Sequence, residues 1–214
     1  MGTKTIVLKA GGVVVGSKSA LTTLATVIRY YRTLGHRVVL VVSAPDQATD
    51  LLKLVVENVG TERRAACITN VEKRYSDWLT ELTLGHDGGG TPIGDVAMAM
   101  SPIGKLASVE IADKILALGE ILSAKIVAAF LRLHGLIAVA YDTSESGLVT
   151  NDVFGNADPL PSAGQLLRHE LERFLVREHV VVVTGFIGHT LDGRVTTLGR
   201  GGSDYTATFI AEAI

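Results

Sequence analysis

A single cysteine, Cys67, rules out an internal disulfide in this chain of 214 residues. Six histidines (36, 86, 134, 169, 179 and 189) are scattered without ligand spacing, so no Cys/His cluster offers a metal site. This cysteine usage fits a reducing cytoplasm, the expected location. No basic stripe runs along the chain and the formal net charge is −2, which argues against a nucleic acid partner. No apolar run approaches the length of a membrane span. Residues 1–12 read as a strand and a turn and not as a secretory signal. Internal repeats, low-complexity tracts and linkers are lacking. Ser43 and Ser203 have no His/Asp partner nearby in sequence, so nucleophilic catalysis has no support.

Apolar residues are plentiful, at 47% against 20% charged, enough for a full core. The length suits one domain spanning 1–214. Mean hydropathy is +0.35. That value points to buried parallel strands and an oligomer interface.

Residues 4–8 (KTIVL), 38–42 and 180–184 (VVVVT) are short apolar runs rich in β-branched residues, the pattern of strands covered on both faces. Another such run lies at 136–141. Helical periodicity occupies 17–34, behind the N-cap Ser17 and before the stop Gly35. It recurs at 51–59, 62–84, 105–134 and 160–178. Residues 86–94 (HDGGGTPIG) read as a flexible loop. Asp192-Gly193 joins two short strands, 186–188 and 194–197, as a hairpin. Strands near 4–9, 38–43, 137–141 and 180–184 alternating with helices predict a mainly parallel sheet in a three-layer α/β/α sandwich.

The chain's chemistry centres on residues 198–206, LGRGGSDYT. Three glycines let the backbone approach a small anion, and Arg200 can fork onto a carboxylate. Ser203 reads as the N-cap of a helix over 206–214, with Asp204 in its first turn near the positive end of the dipole. A plain glycine-rich turn with a capping serine has the same spacing. Lys9 closes the first strand just before Gly11 and Gly12, where open α/β sheets bind ligands. It is either a point charge for phosphate or a solvated strand end. Glu120 interrupts an apolar helix; it is either a buried ligand for an ammonium group or part of an exposed face. Phe186 follows Gly185 at a strand end, placed to pack on a ligand or in the core.

Taken in order, these stretches resemble the aspartate kinases of the amino acid kinase family. The likeness rests on Lys9-Ala10-Gly11-Gly12, Ser43-Ala44 with Thr49-Asp50, Gly119-Glu120, Thr150-Asn151-Asp152 with Phe154-Gly155, and Thr184-Gly185-Phe186-Ile187-Gly188. Its most specific part is 196–207, TTLGRGGSDYTA. The resemblance implies the amino acid kinase (carbamate kinase-like) fold. It also implies ATP-dependent phosphorylation of the L-aspartate side-chain carboxylate, with Mg2+ accompanying the ATP. Carried over by position, Lys9 and Asp204 are catalytic: Lys9 stabilises the transferring phosphoryl group and Asp204 orients Lys9. Glu120 takes the substrate ammonium and Arg200 a carboxylate, while Thr49, Phe186 and Ser203 line the amino acid pocket. Gly11, Gly12, Ser43, Ala44, Gly201 and Gly202 are the implied phosphate-binding positions.

Three departures bear on the nucleotide side. Ala10, Val13 and Val14 stand where the family usually has Phe, Thr and Ser. Pro45-Asp46-Gln47 replaces a glycine-rich turn, and Asp46 brings negative charge. The chain resembles the N-terminal, amino-acid-binding part of the catalytic domain, so a truncated form of the fold is expected. The missing part would come from a second copy or a complementing chain. The alternative is a degenerate homologue that binds an amino acid without transferring phosphate, or an interaction subunit.

Overall fold

In the computed structural model, which describes residues 2–82, 109–177 and 179–214, the buried runs become the centre of one sheet. β1 (Thr5–Ala10), β2 (Arg37–Val42), β3 (Ala138–Tyr141) and β4 (Val180–Thr184) lie in the order β1-β2-β4-β3, every neighbouring pair parallel. All four expected strands therefore share one sheet. β2 and β4 are central because they are apolar on both faces. Lys9 pairs in register with Val41, and Val42 with Thr184, so the carboxyl ends of β1, β2 and β4 finish together.

Alternate residues of these strands feed two cores. Val38, Leu40, Val42 and Val182 join the side covered by α2 (Lys18–Thr33), α3 (Ala48–Glu57), α4 (Arg64–Glu81) and α5 (Val109–Leu133). Val39, Val41, Val181 and Val183 join the side covered by α6 (Ala163–Leu175) and α7 (Gly202–Ala213). Side chains that alternate across a strand produce this division, giving the expected three-layer α/β/α sandwich. β5 (Ile187–His189) and β6 (Val195–Thr197) form the antiparallel hairpin expected through Asp192-Gly193.

The ends of several elements differ from the sequence reading. A short helix, α1 (Gly12–Val15), precedes Ser17, whose hydroxyl accepts the Ala20 amide as expected of an N-cap. α3 starts at Ala48, ahead of the expected 51, because Gln47 turns the chain with φ 68°. α7 starts at Gly202, not at 206, because Gly201 takes φ 78° and ends the preceding turn. Ser203 is therefore inside the helix and not its cap, and its hydroxyl caps nothing. The loop expected at 86–94 and the first residues of the helix expected at 105–134 lie outside the described residues.

Candidate functional site

Lys9 projects from the carboxyl end of β1 toward the first turn of α7, where its Nζ lies 3.0 Å from Oδ1 of Asp204. The left-handed turn at Gly201 is open to glycine at no steric cost, and it aims the helix N-terminus back at β1. A Cβ at Gly11 would sit 3.3 Å from the Lys9 ammonium, so the glycine leaves the lysine its room. The pair faces solvent: the side chains are 31% and 71% exposed. Such a pair adds little stability and mainly fixes orientation.

Glu120 comes from α5 and points inward, only 5% exposed, which decides against an outward helix face. Its Oε1 accepts the Ala44 amide at 3.1 Å. Burial pushes its carboxyl up to about pH 8, with the Ala44 hydrogen bond pulling the other way. Gly119 makes this approach possible: a Cβ there would lie 2.9 Å from Ala44 Cβ and 3.1 Å from Leu52 Cδ1. Beside it the Tyr75 hydroxyl donates to the Gly119 carbonyl at 3.2 Å, and burial, helped by the Glu120 charge, raises its proton affinity.

Phe186 has φ 68°, a conformation that bulky residues rarely adopt and that concentrates at functional sites. Its amide donates to Thr206 Oγ1 at 3.2 Å, and that hydroxyl donates to the Gly202 carbonyl at 2.9 Å. The phenylalanine is thus pinned to the first turn of α7.

These groups surround one cleft of about 590 Å³ at the carboxyl edge of the sheet. Lys9, Ser43, Thr49, Glu120 and Phe186 line it, and so does the whole run from Arg200 to Asp204. Gly11, Gly12 and Ala44 do not. The Ala44 amide is taken by Glu120, and Gly12 packs so closely that a Cβ would meet the Ala44 carbonyl oxygen at 2.8 Å. Among the described residues Arg200 has no hydrogen bond or ion pair from its side chain. The same holds for the backbone amides of Gly201 and Ser203 at the start of α7. The cleft therefore presents an unpaired guanidinium, free amides, an ammonium and a buried carboxyl group able to ionise beside a cation, a set suited to a small zwitterion carrying an extra negative group.

The sequence matches the family described as "Amino acid kinase family" over residues 4–214. The chain belongs to the amino acid kinase family. It is 32% identical over 224 residues to Aspartokinase 3, chloroplastic, of Arabidopsis thaliana, covering 98% of this chain and 39% of that one. With Aspartokinase 2 of Bacillus subtilis the identity is 29%, over 98% of this chain and 40% of the relative. Among solved structures, Escherichia coli aspartokinase III in complex with aspartate and ADP superposes with a TM-score of 0.82 at 27% identity, covering 99% of this chain and 47% of that one. The chain thus spans less than half the length of these relatives.

In this member of the amino acid kinase family, several parts of the cleft were not marked by the local sequence. Lys53 reaches it from α3, one turn after Thr49 on the same face, and its ion pair with Asp50 at 3.5 Å is loose and exposed. Leu116 lies one turn before Glu120 on α5. Thr197 and Gly155 form part of the wall, and both are held from behind by Asp113. The helical spacing from Thr49 and Glu120 was the available signal for Lys53 and Leu116. Nothing local marked Asp113. Among the described residues no helix is long and apolar enough to cross a membrane, and no group of three His, Cys, Asp or Glu stands ready to hold a metal.

Proposed function

We propose that this amino acid kinase holds L-aspartate in the cleft and forms the amino-acid-binding part of an aspartate kinase. The observation that carries the reading is the convergence of Glu120, Arg200 and the Lys9–Asp204 pair on one cleft at the sheet's carboxyl edge. Glu120 would accept the substrate ammonium and Arg200 would pair with a carboxylate, each a charge-assisted contact of about 1.5–3 kcal/mol. Thr49, Phe186 and Ser203 would shape the pocket around them.

The reaction is attack by a side-chain carboxylate oxygen on the γ-phosphorus of ATP, with cleavage of the bond to the bridging oxygen and departure of ADP. Catalysis of this kind rests on positioning and on positive charge at the transferring group. Lys9, steered by Asp204, would meet that charge. The free amides of Gly201 and Ser203 are suited to phosphate oxygens. Magnesium would arrive on the phosphates, since the described residues offer it no three-group cluster of their own. The relative solved with aspartate and ADP supports the same pairing of ligands here.

One observation favours weak transfer by the chain alone. Val13 is 75% exposed on α1, presenting methyl groups where the family usually offers a hydroxyl. The polypeptide by itself should bind aspartate measurably, bind ATP weakly and turn over slowly. Full turnover would then draw on further nucleotide-binding residues, from a longer chain, a second copy or a complementing subunit. Trapping of aspartyl phosphate by hydroxylamine tests transfer, and calorimetry with each ligand tests binding. Aspartate binding without any trapped product supports the amino-acid-binding homologue; tight ATP binding with rapid product formation overturns the division between the two halves of the site.

A further inference from the structure

Asp113 is the other buried carboxylate near the cleft, 1% exposed, and it touches no cleft ligand position itself. It lies seven residues before Glu120 on α5, two turns away and therefore on the same face. Its Oδ2 accepts the Gly155 amide at 2.9 Å and the Thr197 amide at 2.8 Å, and its Oδ1 accepts the Thr197 hydroxyl at 2.9 Å. All three donors belong to residues of the cleft wall.

That wall is knitted together around them. Thr197 receives the Ala157 amide through its carbonyl at 2.9 Å, and Leu198 donates to the Phe186 carbonyl at 2.8 Å. Gly199 sits so close to Asn156 that a Cβ would lie 2.5 Å from Oδ1. On the outer side Arg194 stacks 5.1 Å over the Phe154 ring. Loop 154–157 and the strand leading to Arg200 thus form one unit, and its inner fastening is a carboxylate on the helix that also carries Glu120. A carboxylate buried at this depth is costly unless its oxygens are hydrogen-bonded. Burial does raise the Asp113 carboxyl above its ordinary range, with these three donors opposing the shift.

We infer that Asp113 is a positioning residue that sets the span of the cleft, tying the wall that bears Arg200 to the helix that bears Glu120. The inference rests on the proposed holding of aspartate between those two residues. A small displacement of a positioned group costs about tenfold to a hundredfold. Asparagine at this position keeps one oxygen for the two amides, and the Thr197 hydroxyl can turn to accept from its NH2 group.

The test is calorimetric titration of this chain with L-aspartate, comparing wild type, Asp113→Ala, Asp113→Asn, Arg200→Ala and the Asp113→Ala/Arg200→Ala pair. Asp113→Ala should weaken binding by about tenfold or more, Asp113→Asn should restore most of it, and Asp113→Ala should add little once Arg200 is gone. Unchanged binding in folded Asp113→Ala, or an equal further loss in the Arg200→Ala background, overturns the inference. If Asp113→Ala does not fold, Thr197→Val removes the hydroxyl partner alone; weaker aspartate binding supports the clamp and unchanged binding overturns it. If wild type binds no aspartate, the proposed function fails, and the clamp is then read from amide exchange. Slow exchange at Gly155 and position 197 that becomes fast in Asp113→Ala, or in Thr197→Val where Asp113→Ala does not fold, and stays slow in Asp113→Asn supports it; rates equal to wild type in Asp113→Ala or Thr197→Val overturn it.

Discussion

Glu120 is held in two opposed ways: burial favours its neutral form, and the Ala44 amide favours its charge. With its carboxyl near pH 8, the empty cleft at neutral pH keeps it mostly protonated. The folded state therefore holds a proton that the unfolded chain releases above its ordinary value of 4.5, and this group's contribution to stability falls as pH rises from there to about 8. An arriving ammonium reverses the preference. Aspartate binding should release a proton below pH 8, and affinity should climb toward that pH and then level off. Calorimetry in two buffers of different ionisation enthalpy checks this. Glu120→Gln should remove the pH dependence, and proton uptake on binding would refute it. Asp204 offers a second test. Its pairing with Lys9 is exposed, so Asp204→Asn should change stability by about 0–1 kcal/mol while lowering phosphoryl transfer by about a hundredfold. Thermal melts and hydroxylamine trapping, run side by side, separate the two effects. At this scale Lys9, Glu120, Arg200 and Asp204 were legible as residues of one cleft because their motifs are local, whereas Lys53 was not. Nor was Asp113, because its partners lie 42 and 84 positions away.

Elements meet where side chains are missing. α5 approaches the loop after β2 at Gly119, and a methyl there would press on Ala44 and Leu52. Gly119→Ala should destabilise the fold by about 1–3 kcal/mol and weaken aspartate binding, since Ala44 holds Glu120 in place. Denaturant melts and the same titration check both effects; a variant as stable as wild type would show that α5 can shift freely. Strand positions were readable because continuous β-branched runs have only a buried sheet to occupy. Helix starts were less so. Apolar periodicity begins where the first inward residue stands, whereas the backbone turns earlier, at Gln47 and Gly201, through left-handed conformations that no periodicity records. The same limit hid the true place of Ser203, which lies inside α7.

On the scale of the molecule, two apolar clusters share one four-stranded sheet, with alternate residues of β2 and β4 entering each. Neither cluster is complete without those strands, so the described residues are expected to unfold together. Heat or denaturant should unfold them in one transition, seen alike by far-ultraviolet circular dichroism and by the fluorescence of Trp78, which is fully buried in the first cluster. Separate transitions would divide the chain. The parallel sheet and its layers followed from the order of elements. The cleft's full lining depended on contacts across the fold, between α3, α5, the β5–β6 hairpin and α7, which only the folded chain brings together. The most direct measurement is a calorimetric titration of this chain with L-aspartate, repeated on Arg200→Ala. The account predicts saturable binding by wild type at one site, and about tenfold or greater weakening without the guanidinium. No binding by wild type, or equal binding by both, would contradict it.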